Sequence, residues 1–135
     1  MSRVGSSTHP WARRLPAIDG AGGLVVGLLV LGLRGFVADL HGFSVELVTF
    51  LGAANLAYSV PGLTLNAMRR RPAWLLYGLI VANLAWSVVC LVLLGTVGPS
   101  ARFTGVLHLV AEGAYVAWLA ILEIKHRREI LAEGP

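Results

Sequence analysis

A bundle of four transmembrane helices with both chain ends in the cytoplasm is the fold class this sequence predicts, and three observations predict it. The chain has 135 residues, of which 56% are apolar and 13% charged, with a mean hydropathy of +0.74. One small soluble core cannot hide that much apolar surface. Four apolar runs, at 20–37, 43–65, 72–96 and 103–122, come close to or exceed the roughly 20 residues that cross about 30 Å of hydrocarbon. The basic residues gather where these runs end, as topology signals do. A single membrane domain over 1–135 follows, with tails at 1–19 and 123–135.

The first run, 20–37, is rich in glycine, and Gly23 and Gly27 form a small-xxx-small pair that lets two helices approach closely. Packing within the chain is its simpler use, and a homodimer seam is the other. A cleaved signal peptide is the rival reading of this run. Arg34 interrupts the approach to Ala38 and no small-x-small site follows, so the run is expected to stay as a span. Asp39-Leu40-His41-Gly42 makes a short turn into the second run, which holds Pro61, a residue that removes a helix hydrogen bond and can kink the span. Arg69-Arg70-Arg71-Pro72 leads into the third run, and Gly98-Pro99-Ser100 into the fourth.

All of the eleven Lys and Arg residues except Arg34 and Arg102 lie in the N-terminal tail (Arg3, Arg13, Arg14), the middle loop, or the C-terminal tail (Lys125, Arg127, Arg128). Basic residues stay on the cytoplasmic face, which places both tails and the middle loop there. Trp11, Trp74 and Trp118 then fall towards the inner interface, where amphipathic rings are favoured. The formal charge of +4 does not point to nucleic acid, because the basic clusters flank apolar runs and form no basic face. Cys90 stands alone in an apolar run, so no intramolecular disulfide can form. No metal site and no cofactor are expected.

One small phrase recurs inside the spans: Ala54-Asn55-Leu56-Ala57-Tyr58-Ser59, Ala82-Asn83-Leu84-Ala85-Trp86-Ser87 and, more loosely, Ala111-Glu112-Gly113-Ala114-Tyr115. Each copy sets one costly polar residue near the middle of a helix, where polar groups survive only when paired or when lining a cavity. Asn55 and Asn83 suit a mutual pair. His108, Glu112, Tyr115 and Glu123 form a polar stripe on the fourth helix, since residues three and four apart share a face. His108 is the natural partner of Glu112, and the pair admits three chemistries. It supplies too few ligands for a metal unless other helices contribute. It suits a proton relay. With Tyr58, Trp86 and Tyr115 as aromatic walls, it also suits binding of a polar or cationic ligand. A satisfied polar pair that fixes helix register is the plain alternative.

At the other end of the bundle Arg34, Asp39, His41 and Glu46 make a second group, read as an interfacial salt bridge closing the first hairpin or as an outer gate. No phosphate-cradling loop and no Ser-His-Asp set occurs, and the short loops leave no room for a soluble catalytic domain.

The paired Asn motifs, the Arg69-Arg70-Arg71-Pro72 loop and His108-x-x-x-Glu112 together resemble a group of small four-span bacterial inner-membrane proteins. Size and span count give a looser similarity to DoxX-like proteins. The resemblance covers 43–128 and implies a fold and a compartment without an activity. Ten Arg against one Lys fits a GC-rich bacterial source. The function expected is binding or transport of a small hydrophobic or cationic molecule at a midplane polar-aromatic site, coupled to protonation of Glu112 and carried out by a homodimer. The alternatives are a non-catalytic accessory subunit of a larger membrane complex, with another membrane protein as partner, and an intramembrane enzyme acting on a lipid or quinone. In every case the surrounding partner is the lipid bilayer.

Overall fold

The computed structural model describes residues 10–132, and all its regular structure is helical. Arg3 and residues 133–135 of the expected tails lie outside the described residues. A 3-10 turn at Ala12–Arg14 leads into α1 (Leu15–Gly32), with Pro16 in the first turn, where its missing N–H costs no helix bond. Leu33 breaks the helical conformation, and α2 (Arg34–His41) continues to Gly42. Gly42 has φ 69°, the left-handed conformation that glycine takes without strain, and the backbone N of Arg102 lies so close that a side chain there would crowd it. Ser44 caps α3 (Val45–Ala67) by accepting from the N–H of Leu47 at 3.2 Å, and the helix runs on through Pro61. Then come α4 (Ala73–Thr96), a 3-10 turn at Gly98–Ser100, α5 (Phe103–Lys125) and the short α6 (Arg127–Leu131).

Four helices are long and apolar enough to cross a membrane: Ala12–Gly32, Val45–Ala67, Ala73–Thr96 and Phe103–Lys125. Large apolar side chains such as Leu28, Phe36, Trp74, Leu91 and Phe103 stand exposed around the bundle, as a lipid-facing surface requires. The first span differs from the sequence expectation. It begins at Ala12 and ends at Gly32, so the expected 20–37 is set too late. The cause is Asp19, which hydropathy assigns to the tail but which the fold buries in α1 against a partner on α4. Residues 34–37, counted with the first span, and 39–41, counted with the turn, instead belong to α2.

The spans alternate in direction and pack chiefly as two pairs, α1 on α3 and α4 on α5, with fewer contacts between the pairs. Glycine decides the first pairing. A Cβ on Gly23 would lie 2.8 Å from the backbone O of Asn55, and one on Gly27 2.9 Å from that of Gly52. The small-xxx-small pair Gly23 and Gly27 is therefore packed against α3 inside the chain, the simpler of the two uses considered above. In the second pair, Gly113 lets α5 approach Cys90 on α4. One core cluster, with Val48, Leu51, Trp86 and Leu109, fills the end near α2. Another, with Leu15, Leu65, Leu76, Leu119 and Ile130, fills the end near the chain termini. Arg71 ties that terminal end together by donating to the carbonyls of Arg13 at 2.9 Å and Ile130 at 3.1 Å.

Candidate functional site: a cavity between the two helix pairs

Glu112, near the middle of α5, is the hub of a network drawn from three other helices. Its Oε1 accepts from Asn55 Nδ2 on α3 at 2.6 Å and from Trp86 Nε1 on α4 at 2.8 Å, while Oε2 meets His108 Nε2 at 2.8 Å. The other imidazole nitrogen of His108, Nδ1, faces Nε2 of His41, the last residue of α2, at 3.2 Å. The tautomers with hydrogen on Nε2 of both rings align these bonds from His41 to Glu112. His41 Nδ1 is buried without a partner among the described residues. Burial, and then the neighbouring His108, push His41 below the ordinary imidazole value of 6.5.

A second polar cluster lies nearer the terminal end. Asn83 Nδ2 on α4 donates to Asp19 Oδ2 on α1 at 2.7 Å and lies 3.4 Å from Glu123 Oε2 on α5. All three side chains are buried, Glu123 to 0% exposure. Glu123 sits only two residues from the end of α5, but helical side chains lean towards the helix N-terminus, which carries its carboxyl inwards to Asn83.

Between the two clusters lies a cavity of about 400 Å³ lined by all four spans, a size that accommodates a small organic molecule. Tyr58 and Trp86 form one wall, their ring centroids 5.4 Å apart. Asn55, His108 and Glu112 line it near the α2 end, and Asp19 and Asn83 near the terminal end. On α1 the lining includes Gly22 and Gly23, so that wall is largely bare backbone. Tyr115, 43% exposed, stands on the side where α1 and α5 meet sparsely, its hydroxyl against Gly22.

The structure gathers Glu112, His108, Asn55, Asn83, Tyr58, Trp86 and Tyr115 around this one cavity. It does not pair Asn55 with Asn83. Each amide goes to a carboxylate instead, the stronger acceptor, and those carboxylates are eleven residues apart on α5, about 16 Å of helix rise. The expected salt bridge among Arg34, Asp39 and Glu46 is also not formed. All three are exposed, and Arg34 makes only a long 3.5 Å contact to the carbonyl of Leu31. Neutral contacts instead tie the end of α2 to the start of α5, the N–H of Arg102 donating to the His41 carbonyl at 2.8 Å and the Thr104 hydroxyl to that of Leu40. His41 leaves the Arg34 group to join His108.

Asp19 is the site residue that sequence reasoning missed. The signal was present: an acid one turn before the Gly22-Gly23 step, at a distance from Arg13 and Arg14 that continues the helix. Among the described residues no three of His, Cys, Asp and Glu are gathered so that they could hold a metal ion. Comparison of the chain with protein-family models, with curated proteins and with solved structures finds no match.

Proposed function

We propose that this chain is a multi-pass protein of a bacterial inner membrane, with both ends in the cytoplasm, that binds a small lipophilic cation in the intramembrane cavity and carries it across. The observation behind this reading is a cavity at membrane depth that joins aromatic walls to carboxylates at both ends, Glu112 at one and Asp19 at the other. A desolvated cation over Trp or Tyr gains about 0.5–2 kcal/mol from the ring face. The carboxylates offset the much larger cost of bringing a charge into hydrocarbon. The sparse α1–α5 side, with Tyr115 beside it, gives a ligand dissolved in lipid a lateral route to the cavity.

A second reading has its own support. Glu112 is met by donors from Asn55, Trp86 and His108, which is how a polar group behaves as helix-to-helix glue in an accessory subunit. Calorimetric titration of tetraphenylphosphonium into the full chain in lipid nanodiscs separates the two. Carrier function requires saturable binding that disappears when Val26→Phe and Ala111→Phe together fill the cavity. Heats equal to those of empty nanodiscs would favour the accessory subunit.

A further inference from the structure

The cluster at the terminal end of the cavity is built differently from the Glu112 network. Asp19 and Glu123 come from α1 and α5, and both turn to the same amide nitrogen of Asn83 on α4. Asp19 is 6% exposed, Asn83 1% and Glu123 0%. Glu123 Oε1 has no hydrogen-bond partner, although it is buried inside the cluster. Among the described residues no Lys, Arg or His is ion-paired or hydrogen-bonded to either carboxyl group. Tyr115 on α5 faces both carboxyl groups and brings no positive charge at neutral pH, while His126, three residues after Glu123, turns its Nδ1 to Glu129 at 3.5 Å.

Two adjacent carboxylates served by one amide are short of donors and carry two charges in a medium that solvates neither. Ionisation of both would demand a counter-cation. A single proton removes one charge and supplies the missing O–H donor, as in carboxyl dyads that titrate as a unit. We propose that Asp19 and Glu123 hold one exchangeable proton between them, forming a proton-binding site at the terminal end of the cavity that is separate from the Glu112 network.

Asp19 also lines the cavity, whereas Glu123 stands behind it. A cation seated against Asp19 takes over the role of the proton, which leaves to the buffer as the cation arrives, so the charge of the site is unchanged. This exchange rests on the cation reading above. The shared proton does not.

Infrared difference spectroscopy of the full chain in lipid nanodiscs tests it. The ligand-free protein near neutral pH should show a protonated-carboxyl C=O band that shifts in deuterium oxide. Glu123→Gln and Asp19→Asn should each abolish it, and Glu112→Gln should leave it. Helix content from circular dichroism confirms that the variants fold. Adding tetraphenylphosphonium should remove the band and release up to one proton per cation bound. Absence of the band from the unmodified protein overturns the proposal without recourse to any variant. A band indifferent to both Asp19→Asn and Glu123→Gln also overturns it, as does a carboxylate spectrum that responds to sodium ions at fixed pH. A band that persists where tetraphenylphosphonium does not bind supports the shared proton and overturns the cation reading, so the two fail separately.

Discussion

The Glu112 network and the Asp19–Asn83–Glu123 cluster both draw on α4 and α5, yet three side chains converge on one carboxylate while two carboxyl groups share one amide. That difference separates two uses of polarity in a membrane. A carboxylate met on both oxygens is fixed, and it sets the rotation of α3, α4 and α5 around it. A pair with an unpartnered buried oxygen is left waiting for a donor, which a proton or a cation supplies. The cavity between them joins a rigid end to a responsive one.

The contrast can be broken most severely at its rigid end. Glu112→Leu strands the donors of Asn55, Trp86 and His108 in an apolar interior, and stability in detergent should fall by about 3 kcal/mol, read by chemical unfolding followed by circular dichroism. Gly23→Leu comes next. Its side chain collides with the Asn55 carbonyl, prising α1 from α3 and carrying Asp19 away from Asn83, at a cost of about 2 kcal/mol. Gly32→Leu, with no neighbouring atom within 4 Å, is the matched control and should cost almost nothing.

Trp86→Phe keeps a ring against Tyr58 but removes one donor to Glu112, and about 1 kcal/mol should be lost. The responsive end should behave otherwise. Glu123→Gln keeps the shape and removes the charge of a group that has no full set of partners, so unfolding should shift by less than about 0.5 kcal/mol. Loss comparable with that of Glu112→Leu would erase the distinction between the clusters.

His41 gives the comparison a pH axis. Its imidazole is held below the ordinary 6.5 by burial and by His108, so the unfolded chain binds the proton more readily than the folded one. The stability contributed by neutral His41 is present above pH 6.5 and is lost as the pH falls from there through the folded value. Thermal unfolding between pH 7 and 5 should therefore drop in the parent chain and drop less in His41→Phe. Equal slopes would contradict the burial of a neutral His41 beside His108.

The spans were legible because membrane thickness dictates length, and apolar runs of sufficient length can be counted along the chain. The seven residues around the cavity were legible because each is a polar or aromatic side chain that hydrocarbon would otherwise exclude. Pairing was not. Depth along a helix says nothing about which neighbour a side chain turns to, so Asn55 and Asn83 looked matched when each had a carboxylate nearer at hand. Asp19 was hidden for a related reason. Hydropathy reads an acid as the end of a span, and only the fold shows Asn83 waiting across the bundle. The Arg34 group failed in the opposite sense, since charges close in sequence at an interface are satisfied by water and need no ion pair.

The central claim is that a lipophilic cation sits against Trp86 between the two clusters. Of the four tryptophans, Trp11, Trp74 and Trp118 are exposed and Trp86 is buried, so changing the first three to Phe leaves a reporter inside the cavity wall. Titrating tetraphenylphosphonium into that variant in nanodiscs should change the Trp86 emission saturably, at one cation per chain, and the change should vanish with Val26→Phe and Ala111→Phe. Emission that never responds, or that drifts linearly with the cation in both proteins, would contradict the claim.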